Sequence, residues 1–480
     1  MDKPCTCRSY FFAALFAVLA VCAAWLGNRI ERDFGRVEVN TVTFMTEELQ
    51  PMGAKLYRPV TATAEHRAPG LLALHGYQSD KEATSTFGAL ELARRGYVVV
   101  AIDQFGHGYS TKAPAANKNM SGANNGYQYL KSLPFVDTGR LGIFGHSTGA
   151  LNAIRVAKAN PDHRAVNGQS SNGGMMEGLN NYLLTQGLYE EIGIYRERTF
   201  PVKDLVRNEN RLKAFGLPAD GTLQWHHTYG SFANGDARRA DLVGGTHLGV
   251  MIDVATNQSA IDWFGQALEH KSDVSGYTYW FKEFSGLFAL FFALASALCL
   301  ANGLLELPFF AAARQPAAQE APLPRRTWLS FGLINIALTM FLYPVFTQWG
   351  GANEPIAAAL SFMPLEMGNG IITWLLVSAL ASAVFFALWY RGQSASLDRL
   401  GVCAAPAQSR VVCRHVVLAF ILAGALYALT LFIHSVFAQE LRFLWPLRKP
   451  MTVERLQLFP VYWLLIFVAF TAINGLILKV

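Results

Sequence analysis

The stretch Leu141-Gly-Ile-Phe144-Gly145-His146-Ser147-Thr148-Gly149-Ala-Leu151-Asn-Ala-Ile-Arg-Val-Ala-Lys158 decides how the rest of the chain is read. Leu141–Phe144 is a short apolar run of the kind a buried strand needs. Leu151–Lys158 has helical spacing. Between them lies G-x-S-x-G, with the serine where a strand turns abruptly into a helix. A nucleophilic serine needs that place, because a tight turn lifts its hydroxyl above the sheet edge. Flanking glycines let neighbouring backbone approach closely, and the helix N-terminus favours negative charge nearby.

Working outward, short apolar runs alternate with helical patterns, the signature of βαβ units and a parallel sheet. Leu71–Leu74 reads as a strand ending at His75-Gly76, and Phe87–Arg95 as a helix. Tyr97–Ile102 is a second strand ending at Asp103. Ala165–Gly168, Asn181–Thr185 and Ala240–Val243 continue the series, and Asp253–Leu268 reads as an amphipathic closing helix. A segment of this length can bury a sizeable core.

These motifs resemble the α/β-hydrolase superfamily over roughly residues 55–270. Leu74-His75-Gly76-Tyr77 matches the family's strand-end HG motif, and Asp103-Gln-Phe-Gly-His-Gly-Tyr-Ser110 its D-x-x-G-x-G-x-S loop. Ser147 stands at the nucleophile position. The flavour is closest to the dienelactone-hydrolase and serine-aminopeptidase-like branches. The resemblance implies an α/β sheet flanked by helices and an oxyanion hole from the backbone amides of Thr148 and Tyr77. It also implies a base and an acid in the chain order Ser, acid, His. Of the later histidines, His247 follows the last strand and precedes the closing helix, in Gly244-Gly-Thr-His247-Leu-Gly, and takes the base role. The family pattern of apolar strand followed by G-x-x-acid selects Glu190. Glu191, Asp204 and Asp236 stay open as alternatives, and neither Glu191 nor Asp236 is expected to touch His247. Trp225, His226, His227 and Tyr229, in the long excursion 192–236, read as a short packed hairpin.

Composition places this domain in a larger setting. The 480 residues are 52% hydrophobic and 15% charged, against about 25% charged in soluble domains. Charge-free windows run over 9–28, 284–305, 327–353, 367–390, 415–439 and 456–478, each near the ~20 residues that cross a bilayer as a helix. The expected organisation is an N-terminal anchor over 1–28, the hydrolase domain over 29–283, and a helical membrane domain over 284–480 with about five transmembrane helices. Asn335, Asn369 and His434 fall within these windows, and 311–326 is an Ala/Pro-rich loop. With the N-terminus in the cytoplasm, ten Lys or Arg lie in cytoplasmic pieces, none in the outer loop 354–366 and four (Arg442, Arg448, Lys449, Arg455) in the last outer loop, a balance that leaves 29–283 outside the cytoplasm. The basic residues behind the net charge of +6 flank apolar runs rather than forming one stripe, which argues against a nucleic-acid partner. None of the six cysteines lies between 23 and 298, so the polar segment has no disulfide of its own.

The expected function is a membrane-bound serine hydrolase acting on an acyl-ester or other acyl-containing small molecule or lipid, with membrane lipid as its surroundings. No cofactor and no metal is expected. A peptidase or acyltransferase would use the same residues. A transporter or export component with a hydrolase-like accessory domain, and a catalytically dead binding domain, are the readings of other classes.

Overall fold

The computed structural model describes residues 5–110, 121–171, 176–192, 197, 199, 201–311, 325–350, 363, 365–392 and 409–477. The Ala/Pro-rich stretch 311–326 and the loop 354–366 fall mostly outside these residues. The chain divides into two compact units, Leu15–Leu294 with Ala428–Lys449, and Met1–Ala14 with Ala295–Tyr427 and Pro450–Val480.

The first unit is built on a nine-stranded sheet. Its strands are β1 (Val37–Met45), β2 (Pro51–Pro59), β3 (Ala68–Leu74), β4 (Val98–Ile102), β5 (Val136–His146), β6 (Ala165–Gln169), β7 (Tyr182–Tyr189), β8 (Thr228–Tyr229) and β9 (Arg238–Thr246). Their spatial order is β1-β2-β4-β3-β5-β6-β7-β9-β8. The six strands from β4 to β9 in that order run parallel, while β1, β2 and β8 are antiparallel additions at the edges.

Strand alternation explains the two cores. Side chains point to opposite faces at successive positions. Leu72, Leu74, Val98, Val100, Ile102, Ile143, Val166 and Leu184 therefore fill one face. Leu71, Ala73, Val99, Ala101, Phe144, Ala165 and Leu183 fill the other. Both faces are apolar, so these strands read as continuous hydrophobic runs. The helix Val254–Ala267 closes the second face with Trp263 and Phe264, both fully buried. The Trp263 indole N–H donates to the Asn181 carbonyl at 3.2 Å, so its polar atom is satisfied too. The β1–β2 hairpin was not legible as strands, because β1 lies at the edge and mixes buried and exposed positions.

This unit also contains a two-stranded hairpin, β10 (Leu441–Phe443) with β11 (Trp445–Arg448), and a buried charge cluster. Glu31 meets Lys55 at 3.1 Å and Lys282 at 2.9 Å. Glu82 meets Lys55 at 2.8 Å and Arg442 at 3.5 Å, and Arg442 meets Glu283 at 3.0 Å. Lys81 meets Asp103 at 2.9 Å, and Lys449 pairs with Asp80. Five acids (Glu31, Asp80, Glu82, Asp103, Glu283) thus balance five bases (Lys55, Lys81, Lys282, Arg442, Lys449). A buried charge is tolerated when it is paired and hydrogen-bonded. Glu440 would be a sixth acid; burial first, and then Glu82, push its carboxyl up to about 7.

Among the described residues five helices are long and apolar enough to cross a membrane: Cys7–Glu31, Tyr279–Leu305, Gly368–Tyr390, Val411–Phe437 and Val453–Thr471. The window 327–353 gives a shorter apolar helix, Gly332–Thr347. There the α-helix Arg325–Pro344 passes into a π-helical turn, Val345–Gly350. Pro344 has no N–H to continue the ladder, which is where such a change of pitch is expected. Within the second unit, polar side chains join helices. Tyr462 donates to Asn369 at 2.7 Å, Asn369 donates to the Met363 carbonyl at 2.8 Å, and Ser382 donates to Asn335 at 2.8 Å. Interhelical hydrogen bonds of this kind hold apolar helices together where the hydrophobic effect cannot.

Trp263 offers a direct test of the core. Trp263→Ala removes a fully buried indole and leaves a cavity beneath β6 and β7, so it is expected to destabilise the domain by about 3–5 kcal/mol. A clear fall in melting temperature by differential scanning fluorimetry is the expected outcome; an unchanged value would contradict the packing described.

Candidate active site

Ser147 sits where β5 hands over to the helix Thr148–Ala159. Its backbone is left-handed, φ 55° and ψ −117°, a costly conformation for a residue with a Cβ. The two motif glycines explain how it is held. A Cβ on Gly145 would lie 2.5 Å from the Gly149 carbonyl oxygen, and one on Gly149 would lie 2.3 Å from the Leu74 carbonyl oxygen. Strand and helix are therefore pressed together across the turn. The Ser147 N–H donates to the Gln169 carbonyl at 2.9 Å, which fixes the turn against β6. Thr148 is the first residue of the helix, where backbone N–H groups have no intrahelical carbonyl to meet.

His247 follows β9, and Glu190 follows β7. The structure brings these two together: His247 Nδ1 donates to Glu190 Oε1 at 2.6 Å, with both side chains buried. The same oxygen accepts from the Ile192 N–H at 3.2 Å. With the proton on Nδ1, the lone pair is left on Nε2. The neighbouring acid does more than expected. Glu191 Oε2 accepts from the His247 backbone N–H at 2.8 Å, so Glu190 orients the ring and Glu191 orients the main chain. Asp236 lies elsewhere, accepting from the Ser231 N–H in a turn, and Asp204 belongs to a 3-10 turn at Val202–Arg207.

His146, the variable residue before Ser147, was not singled out from sequence. Its Nε2 donates to the His247 carbonyl at 2.7 Å, and the two rings lie 4.8 Å apart. That bond ties the serine turn to the histidine loop. Nothing in a single sequence marks an x position of G-x-S-x-G for this job.

The HG motif is structural chemistry of the same kind. His75 is buried, its Nε2 accepts from the Gln104 N–H at 3.0 Å and its Nδ1 donates to the Gly76 carbonyl at 2.8 Å. Gln104 returns a bond to the His75 carbonyl at 2.5 Å and accepts from Asn152 at 2.6 Å. A Cβ on Gly76 would stand 3.3 Å from Ser147 Cβ and 3.0 Å from His146 Nδ1, so the loop carrying Tyr77 passes directly over the serine turn. Tyr77 itself is half exposed. The Asp103–Ser110 loop closes on Asp103, whose carboxylate accepts from the N–H groups of Lys81 and Tyr109, each at 2.8 Å. Gly108 has φ 51°, and a Cβ there would lie 2.0 Å from Asp103 Cγ, so only glycine fits.

The excursion before β9 forms packed structure. Tyr229 pairs with Arg238 on β8–β9, its hydroxyl accepts from Gln224 N–H at 2.9 Å, and its ring meets Phe215 edge-on. Buried Arg211 joins Glu197 at 2.6 Å to Gln186 on β7 at 2.9 Å. Among the described residues no group of three or more His, Cys, Asp or Glu is placed to hold a metal ion.

Residues 66–184 match the family described as serine aminopeptidase, S33. The mostly parallel sheet flanked by helices has an α/β-hydrolase-like fold, and the same chain holds five helices long and apolar enough to cross a membrane among its described residues. Several solved structures are similar. A hypothetical protein from Pseudomonas aeruginosa is 14% identical, with 48% of this chain and 94% of that one covered at a TM-score of 0.36. A predicted CIB-like hydrolase from Thermoplasma acidophilum is also 14% identical, covering 47% and 96% at 0.33. An esterase from Pyrococcus furiosus is 14% identical, covering 49% and 92% at 0.35. No curated protein matches the chain.

His75 gives the site a pH dependence. Burial, and then nearby His107, hold its imidazole down at about 4 from the ordinary 6.5. The folded form therefore keeps it neutral. Its contribution is complete above pH 6.5 and is lost as pH falls from there through about 4. Melting temperature followed across that window should fall more steeply for wild type than for His75→Asn; parallel curves would contradict the assignment.

Proposed function

We propose that this chain is a membrane-bound serine hydrolase that cleaves acyl bonds, with esters as the first substrate class. The observation that carries the reading is the 2.6 Å bond from His247 to Glu190, tied through His146 to the strained turn bearing Ser147. In this reading the Ser147 hydroxyl attacks the acyl carbonyl. His247 Nε2 takes its proton and later returns it to the leaving group. Glu190 fixes the tautomer and stabilises the imidazolium. Backbone N–H groups of Thr148 and Tyr77 hold the oxyanion of the tetrahedral intermediate. A water then attacks the acyl-enzyme with His247 again as base, releasing the acid and restoring Ser147. Peptide-bond cleavage is the second reading, favoured by the match of residues 66–184 to a peptidase family. The same machinery serves both.

We also place the hydrolase domain outside the cytoplasm. Support comes from the Lys/Arg asymmetry of the loops. A reporter active only outside the cytoplasm, inserted in the 217–222 loop, should be active in intact cells. Activity confined to a cytoplasmic reporter would reverse the orientation.

The residue roles are tested by turnover of a chromogenic short-chain ester and by fluorophosphonate labelling. Ser147→Ala should abolish labelling and cost roughly 10⁴-fold or more in rate. Glu190→Gln should lose on the order of 10²–10⁴-fold. Glu191→Gln keeps an oxygen for the His247 N–H and should lose about tenfold or less, and Asp236→Asn less still. Full activity in a folded Ser147→Ala protein would end the serine-hydrolase reading. A crippled Asp236→Asn with active Glu190→Gln would move the acid.

A further inference from the structure

The loop that carries Tyr77 is held at both ends, but by different parts of the chain. At its start, His75 clamps the Gly76 carbonyl and the Gln104 N–H, both within the sheet's own connections. At its end, Asp80 caps the next turn: its Oδ1 accepts from the Glu82 N–H at 3.0 Å, and its carbonyl accepts from the Ala83 N–H at 3.1 Å. The other carboxylate oxygen of Asp80 pairs with Lys449. Between the clamps the chain turns through a left-handed Gln78, φ 61°, with Tyr77 half exposed.

Lys449 comes from far along the chain. It directly follows β11, in the hairpin that joins the apolar helices Ser409–Phe437 and Val453–Ile477 in sequence. The hairpin is fastened to the same turn a second time, since Arg442 Nη2 donates to the Glu82 carbonyl at 3.3 Å. Arg442 is wholly buried and balances Glu82 and Glu283, so it belongs to the domain's stability. Lys449 differs: its side chain is 22% exposed. Its partner Asp80 is buried, so the pair carries stability as well. It also fixes the geometry of the backbone that it grips.

We propose that Lys449 is a positioning residue for the oxyanion loop: its ion pair with Asp80 sets the far end of the loop that presents the Tyr77 amide over Ser147. The inference rests on the hydrolase reading above. An oxyanion donor acts only when it is aimed where negative charge develops, and misplacement by about 1 Å can cost on the order of 10²-fold. Lys449 touches neither substrate nor Ser147, so its effect falls on the transition state rather than on ground-state binding.

The test uses the full-length protein in detergent or lipid nanodiscs, with a p-nitrophenyl ester as substrate. Lys449→Ala should lower kcat on the order of tenfold or more and leave KM within about twofold, with a modest fall in melting temperature from the charge left on buried Asp80. Lys449→Arg keeps the charge on Asp80 and should recover most of the lost kcat. Asp80→Asn should show the same kcat defect as Lys449→Ala, and the double variant should be no worse than either. Unchanged kcat in a folded Lys449→Ala protein would overturn the proposal. So would parallel losses of kcat, KM and melting temperature that Arg does not rescue, because those mark a purely structural contact. If wild type neither turns over ester nor labels with fluorophosphonate, the hydrolase reading itself fails, a result separable from an active wild type that ignores Lys449.

Discussion

The turn at Ser147 has no space for side chains on either flank, and much of the domain follows from that. Gly145 and Gly149 bring the end of β5, the start of the following helix and the end of β3 within backbone contact of one another. The left-handed conformation of Ser147 is then imposed by its surroundings rather than by its own preference. Once β3 ends at that point, Gly76 has to cross the serine at van der Waals distance. Every other polar contact of the site is built around this crossing.

The contacts that do so are mostly between a side chain and main chain. His146 grips the His247 carbonyl, Glu191 the His247 N–H, and His75 both the Gly76 carbonyl and the Gln104 N–H. Such bonds fix loops without adding net charge near the serine, apart from Glu190 and Glu191. The strongly charged residues are gathered instead in the cluster around Glu82. There desolvation is offset by equal numbers of opposite charges in shared contacts, and Glu440, buried beside Glu82, is the carboxyl whose protonated form is favoured.

Much of this was legible in the residues. The strands that carry Leu71, Val99 and Ile143 announce themselves because both faces of a parallel sheet are buried, which leaves unbroken apolar runs. Ser147 is marked by a turn motif, His247 by its place after the last strand, and Glu190 by the pattern of the family that the sequence resembles. What stayed hidden depends on distance in sequence. No local pattern distinguishes Glu191 as a ligand of a histidine N–H, or marks His146 as more than a filler. β1 escapes because an edge strand needs no continuous apolar face. The pairing of Asp80 with Lys449 bridges most of the chain, and the hairpin around it lies between two charge-free windows where only a polar loop was read.

The late position of that hairpin sets an order of assembly. When a growing chain has been made only as far as residue 440, the cluster holds five acids (Glu31, Asp80, Glu82, Asp103, Glu283) against three bases (Lys55, Lys81, Lys282). Arg442 and Lys449 are the last two charges to arrive. Until then the cluster as a whole carries an excess of two negative charges, which favours an open, hydrated arrangement over the buried one. The loop that carries Tyr77 is thereby fastened at its far end only after the hairpin 441–449 has been made.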